Sequence, residues 1–318
     1  MQQVLKTMLE NVRAKTPLVH NITNYVTVND VANVLLAAGG SPIMSDDADD
    51  VEDITSICGG LNINIGTLNK NTIPSMFLAG KKANELGHIV LLDPVGAGAS
   101  RLRTDTANRL MQEVRFDAVR GNISEIKTLC TGSGSTKGVD ADAVDAVTEA
   151  NLDDGVQLVK TFAQRAGCIV AVTGAIDLVS DGERCWCIRN GRAEMSRITG
   201  TGCQLSGRMT AFLVANPDRP LEAAAAAVAT MGLAGEMRRS TARGGLLAAL
   251  RPGSLGPNPH HTPAAAAAAV CMMGLAGEIG WANMQPGDGN STYRNRIIDA
   301  IFNMTGDALE KGAKYELR

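Results

Sequence analysis

The segment Ile89 to Ala99 reads IVLLDPVGAGA, and it decides the fold. Its first four residues are apolar, too few for a helix, and they are stopped by a carboxylate, a proline and alternating glycines. The run therefore reads as a buried strand ending near Asp93. Comparable short runs follow helix-period stretches at Leu18 to Ile22, Ser41 to Met44, Asn62 to Ile65, Ala118-Val119 and Ile169 to Val172. Alternating strands and helices favour a mostly parallel sheet, because parallel neighbours need crossover connections and these are normally right-handed helices packed on the faces. The pattern predicts a doubly wound, three-layer α/β/α fold. Two further runs, Asp177 to Ser180 and Arg184 to Ile188, flank the turn Asp181-Gly182-Glu183 and predict an antiparallel hairpin, so one edge of the sheet is expected to be mixed.

At 318 residues the chain has room for one α/β unit with a substantial core. A formal charge of −3 and basic runs no longer than pairs such as Lys81-Lys82 offer no stripe for a phosphate backbone, which argues against nucleic acid as a partner. No apolar run is long enough to span a membrane and the first residues lack a secretion pattern, so the expected location is the cytoplasm. The seven cysteines are scattered without C-x-x-C spacing and read mainly as small buried hydrophobes. Cys185-Trp186-Cys187 lies on an expected strand, whose two-residue period puts both thiols on one face and points to core packing rather than a metal pair.

The C-terminal third is mostly helical and contains a repeat. AAAAAVATMGLAGE at Ala223 to Glu236 returns as AAAAAVCMMGLAGE at Ala265 to Glu278, an offset of 42 residues, with Ala229 and Thr230 replaced by Cys271 and Met272. One repetition does not make a solenoid, which needs several stacked units. It reads as a local duplication in which either copy could fill the same groove. The intervening stretch is rich in Arg, Gly and Pro and reads as a linker, with a short helix expected at Leu246 to Leu250. His260 and His261 lie in it, but adjacent side chains diverge and no third ligand is near. The expected organisation is one domain, 1–318, with a duplication and linker inserted at about 222–263.

The chemistry-bearing residues follow the strands, where open α/β sheets bind ligands. In RITGTGCQLS, Arg197 to Ser206, a Gly-Thr-Gly turn opens an apolar helix and sets a thiol, Cys203, in its first turn. Exposed N–H groups and the positive end of a helix dipole suit an anion such as phosphate. The stretch lacks the third Gly of G-x-G-x-x-G and the Gly-Lys-Ser/Thr of a P-loop, so neither common nucleotide fingerprint applies. Asp93 stands where a magnesium ligand would be needed, or where a strand simply turns. In VRGNISEI, Val119 to Ile126, Arg120 could meet phosphate, while Asn122 and Glu125 have the spacing of a helix cap. Thr173-Gly174 ends another strand, and His20, Asn21, Thr23 and Asn24 come after the apolar residues that begin the first. Met44, ending GGSPIM, could line an apolar substrate pocket or belong to the core. Polar turns after several separate strands would converge on one crevice.

In this order and spacing, PLVHNITN, GGSPIM, NIGTL, LDPVGAGA, RGNISEI, VTG and GTGCQLS resemble the hydroxyethylthiazole kinase family of the ribokinase-like superfamily, over roughly Thr16 to Pro217 and again from near Ala264. The resemblance implies a ribokinase-like three-layer α/β/α fold with a mostly parallel central sheet. It also implies transfer of a phosphoryl group from ATP to the primary hydroxyl of 4-methyl-5-(2-hydroxyethyl)thiazole in thiamine salvage, with Mg2+. Carried over by position, Met44 and Gly200 would contact the thiazole, Arg120, Thr173 and Gly202 the ATP, and Asp93 and Glu125 the magnesium, directly or through water. Gly200 to Cys203 would form the anion hole. Cys203 stands where many ribokinase-like enzymes carry an aspartate as general base, and it is the candidate catalytic residue. The family also implies a homotrimer with interfacial active sites. The rival readings are a hydroxymethylpyrimidine or pyridoxal kinase, a thiol acyltransferase using Cys203 with His20 or His88 as base, and a nucleotide-binding protein disabled by the duplication.

Overall fold

The computed structural model describes residues 4–131, 146–217, 224 and 266–318. The described chain alternates helix and strand: α1 (Val4–Lys15), β1 (Leu18–Ile22), α2 (Val28–Ala38), β2 (Ser41–Met44), α3 (Val51–Ile57), β3 (Gly60–Asn64), α4 (Thr72–Leu86), β4 (Ile89–Asp93), α5 (Arg101–Glu113), β5 (Ala118–Asn122), α6 (Ile123–Thr131), α7 (Leu152–Ala166) and β6 (Ile169–Thr173). Then come β7 (Asp177–Ser180), β8 (Cys185–Ile188), α8 (Thr201–Ala215), α9 (Ala266–Ala282), α10 (Asn290–Asn303), α11 (Gly306–Gly312) and β9 (Tyr315–Leu317). One nine-stranded sheet runs in the order β2-β1-β3-β4-β5-β6-β7-β8-β9. Its first six members pair in parallel and the last three antiparallel.

Two cores form because successive strand residues face opposite ways. Leu91, Ala118, Ala171, Val179 and Trp186 pack into one core with α1, α8, α9 and α10. Val90, Leu92, Val119, Val170, Cys185 and Cys187 pack into the other with α4 to α7. Trp186 and its flanking thiols thus enter different cores, as the strand period requires. This is the doubly wound, three-layer α/β/α architecture with a mixed edge.

The expected strands lie close to the observed ones. β3 begins two residues early, at Gly60, which pairs with both Val19 and Ile89. In the hairpin, Arg184 belongs to the turn rather than to β8, because its backbone N–H and its guanidinium both donate to the Asp181 carboxylate. Two elements lie beyond the expected final helix, α11 and β9, and β9 pairs with β8 to form the sheet's antiparallel edge. Among the described residues no helix is long and apolar enough to cross a membrane.

The second copy of the repeat supplies α9. Met272 and Leu275 are fully buried, and at Gly280 the helix approaches α10 so closely that a Cβ would stand 3.1 Å from the Cβ of Arg296. Trp281 meets the Tyr293 ring edge-on at 5.2 Å. The first copy offers Thr230 in place of Met272 and continues with Arg238 and Arg239 where the second has Gly280 and Trp281. Apart from Ala224, the first copy, the linker, the helix expected at Leu246 to Leu250, and His260 and His261 lie outside the described residues. Met272→Thr, which gives the second copy the first copy's residue, is expected to cost about 2–4 kcal/mol through a cavity and a buried hydroxyl. A urea titration of the variant beside the parent measures that loss.

Candidate active site

Strand β1 lies between β2 and β3, so the chain leaves it toward one neighbour and later returns on the other side. Such a reversal opens a crevice at the carboxyl ends of the strands. The amino end of α8 faces that crevice. Its cap, Gly200, has φ 81°, in the left-handed region that favours glycine, and a Cβ there would overlap the methyl of Thr27. The first N–H groups of α8 have no partner within the helix and mark its positive end.

Arg120 lies across this helix end. A Cβ on Gly202 would overlap its guanidinium, so a larger residue there would have to displace Arg120. Nη2 of Arg120 donates to Thr173 Oγ1 at 2.5 Å, and Nη1 stands 3.5 Å from Asp93 Oδ2. A guanidinium facing a helix N-terminus concentrates positive potential, and the combination suits phosphate oxygens.

Asp93 is fully buried at the end of β4. Its Oδ2 accepts from Asn64 Nδ2 at 2.8 Å and Ser206 Oγ at 2.7 Å, whereas its buried Oδ1 meets no hydrogen-bond partner among the described residues. Burial pushes the carboxyl's pKa up, and Arg120, Ser206 and Asn64 pull it back. Glu125 forms a reciprocal cap with Asn122: the Asn122 N–H donates to Glu125 Oε2 and the Glu125 N–H to Asn122 Oδ1, both at 2.8 Å. Its other oxygen accepts from the Gly96 N–H at 2.7 Å. The capping reading of this pair is therefore correct, and the carboxylate also ties α6 to the turn after β4. Burial, aided by the Asp93 charge, pushes Glu125 up to about 7.

Among the described residues no group of three or more His, Cys, Asp or Glu could hold a metal ion. An orphaned Asp93 oxygen near a second carboxylate nevertheless fits magnesium, which is commonly held by one or two carboxylates with substrate phosphates and water. Asp93 would be the direct ligand, and Glu125, with both oxygens engaged, would act through water.

Cys203 is buried in the first turn of α8, in a small apolar cluster with Val19, Val31, Leu35 and Ala211 against which Met44 and Val95 pack. Its Sγ accepts from Asn24 Nδ2 at 3.2 Å. A helix N-terminus alone would lower a thiol's pKa, but here burial, reinforced by Asp93, pushes it up, against Arg120, Asn64 and Asn24.

The crevice thus gathers the eight residues that the family resemblance assigns to substrate, ATP, metal or catalysis: Met44, Asp93, Arg120, Glu125, Thr173, Gly200, Gly202 and Cys203. A family model, that of the hydroxyethylthiazole kinase family, matches residues 9–251. The chain belongs to the hydroxyethylthiazole kinase family. A hydroxyethylthiazole kinase of Clostridium acetobutylicum is 50% identical over 313 residues, covering 98% of this chain and 99% of that one. A hydroxyethylthiazole kinase of Ruminiclostridium cellulolyticum is 50% identical over 229 residues, which make up 72% of this chain and 82% of that one, so the relative is the shorter chain. The solved hydroxyethylthiazole kinase structure from Pyrococcus horikoshii superposes with a TM-score of 0.75 at 27% identity, each chain covered completely.

For a member of the hydroxyethylthiazole kinase family, His20 does not serve the thiol. Its ring nitrogens are 2.9 Å from Thr55 Oγ1 and from the Ser45 carbonyl, and it shares a face of β1 with Ile22, opposite Val19 and Cys203. Burial lowers its pKa, which keeps a neutral imidazole in this structural link. His88 precedes β4, at the other end of the sheet. Neither histidine named for the acyltransferase reading serves the thiol as a base.

The sequence reading passed over Asn64, Ser206, Thr27 and Asp177 as site residues. Asn62 and Asn64 carried a signal, two polar residues at strand period inside a buried run. Asp177 is buried behind the crevice and accepts the Gly174 N–H at 2.8 Å, which fixes the turn after Thr173. Burial pushes this carboxyl up to about 7, from an ordinary value of 3.8. A folded-state pKa raised above the unfolded one gives stability that is present below the unfolded value and lost as pH rises through the folded one. Asp177→Asn keeps an acceptor for Gly174 and is expected to match the parent near pH 4 and exceed it by a few kcal/mol at pH 8. Urea midpoints for both proteins across that range measure the difference.

Proposed function

We propose that this chain phosphorylates the primary hydroxyl of 4-methyl-5-(2-hydroxyethyl)thiazole, using ATP as co-substrate and Mg2+, as a thiamine-salvage kinase. The observation that carries the reading is the pairing of a glycine-capped helix end with Arg120, beside an Asp93 oxygen that lacks a partner. Arg120, Thr173 and Gly202 hold the ATP phosphates. Asp93, with Glu125 through water, holds the metal, which supplies charge neutralisation on the transferring group. Met44 and Gly200 bound the thiazole beside the apolar cluster at Cys203.

Phosphoryl transfer needs alignment and charge stabilisation more than it needs a strong base. A thiol held protonated by burial supplies little basicity. Cys203 therefore acts chiefly by shape and hydrogen bonding, and the helix end, Arg120 and the metal carboxylates supply most of the rate.

The assembly we propose is a homotrimer with interfacial sites. It is supported by Tyr25 and Val26, which follow Asn24 at the crevice and are 77% and 57% exposed, an apolar surface that asks for a cover. The setting is the cytoplasm, where ATP is made and free thiols stay reduced. The organisation is one domain, 1–318, with an inserted duplication at about 222–263, supported by the shorter relative.

Incubating the protein with ATP, Mg2+ and the thiazole alcohol, with hydroxymethylpyrimidine as control, and following products by phosphorus NMR tests the function. Thiazole phosphate alone supports the assignment. Phosphorylation of the pyrimidine instead moves it to the related alcohol kinase, and no product from a folded, ATP-binding protein moves it to a disabled one.

A further inference from the structure

Two asparagine amides beside the thiol are oriented by backbone groups whose direction is unambiguous. The Gly66 N–H donates to Asn64 Oδ1 at 2.9 Å, so Asn64 turns its NH2 to Asp93 Oδ2. The Thr27 N–H donates to Asn24 Oδ1 at 3.2 Å, with the Thr27 hydroxyl at 3.0 Å from the same oxygen. Asn24 is thereby forced to present its NH2 inward, where one N–H meets Asn64 Oδ1 at 3.0 Å and the other meets Cys203 Sγ at 3.2 Å. Reversing the Asn24 amide would set its oxygen against Asn64 Oδ1 and leave two Thr27 donors facing an NH2 group.

This arrangement settles the polarity of the chain. Asp93 and Cys203 each receive a donor, and the two side-chain amides between them hold their protons, so the chain is a scaffold rather than a proton wire. A sulfur that accepts from Asn24 directs its own S–H away from that contact.

We propose that Asn24 is a positioning residue of the phosphoryl transfer, acting through Cys203: it holds the sulfur as an acceptor and turns the S–H to hold the oxygen of the acceptor alcohol in line. The alcohol's own proton leaves to an oxygen of the transferred phosphoryl group as the O–P bond forms and the bond to ADP breaks. The inference rests on the function proposed above. Asn24 does not touch the reacting atoms, and its influence passes through the sulfur.

A double-mutant cycle on the full chain, with MgATP and the thiazole alcohol, tests this. Asn24→Asp keeps the acceptor for Thr27 and removes the donor to sulfur. It is expected to lower kcat about tenfold with the KM for ATP unchanged when position 203 is Cys, and less than about twofold in the Cys203→Ala background. An equal loss in both backgrounds assigns Asn24 a structural role and overturns the proposal. So does a Cys203→Ala protein with no turnover beside an active parent. Asn24→Ala completes the same cycle if the aspartate prevents folding, with the same expected inequality. A parent that turns over no thiazole alcohol sinks the function itself, a result separate from either outcome of the cycle.

Discussion

Replacing Asp93 by asparagine is expected to lower turnover about a thousandfold, roughly 4 kcal/mol of lost transition-state stabilisation, while the fold loses much less, because removing a carboxylate that burial disfavours offsets leaving Arg120 without its charged partner. The two effects separate because they come from different properties of one buried group. Catalysis needs the charge, since a neutral amide oxygen holds magnesium poorly and cannot balance Arg120. Stability needs it less: the carboxylate has no exposure to water and burial already disfavours its charged form, which offsets part of the cost of leaving Arg120 unpaired. The amide oxygen of the variant can still accept from Asn64 and Ser206. Steady-state kinetics at saturating MgATP, with urea unfolding of the same preparations, reads both quantities. A parallel loss of activity and stability would show that Asp93 serves mainly as packing.

Arg120→Met is expected to weaken ATP binding by about a hundredfold, because the buried guanidinium is the side-chain cation that faces the helix end. It also strips Asp93 of its nearby cation. Breaking one side of a buried pair typically costs about 3–5 kcal/mol while the remaining charge persists. Here the cost shrinks as Asp93, already pushed up by burial, takes a proton, so the variant should be closer to the parent at low pH than at pH 8. The double variant with Asp93→Asn is expected to recover stability and none of the activity. Isothermal calorimetry with a non-hydrolysable ATP analogue and unfolding at two pH values check the pair.

Much of this was legible in the chain. The strand endings at Asp93 and Thr173 could be read from short apolar runs stopped by turn residues, while β5 runs on past Arg120 to Asn122, and parallel alternation implied that those endings converge. The RGNISEI cap was also readable, since Asn122 and Glu125 stand at cap spacing, but the third contact of Glu125, with the Gly96 N–H, joins residues 29 positions apart. No local pattern encodes that. Asn24, Asn64 and Cys203 gave the least away. An asparagine after a strand reads as a turn residue, and only the pairing of β1 with β3 and the landing of α8 on the same face bring the two amides against the sulfur. A thiol at a helix end would ordinarily be acidified, whereas burial here outweighs that place. The duplicated helix was visible, but the choice between copies rests on Gly280 and Trp281, which lie just beyond the repeated letters.

The central claim is that the helix end, Arg120 and the metal carboxylates supply the rate, with Cys203 a positioning element. The most direct measurement is the kcat of Cys203→Ala with MgATP and the thiazole alcohol, beside its ATP affinity and unfolding midpoint. The account predicts a loss of about ten- to thirtyfold with clear residual turnover. Activity at background, in a variant that folds and binds ATP like the parent, would contradict it and make the thiol the catalytic base.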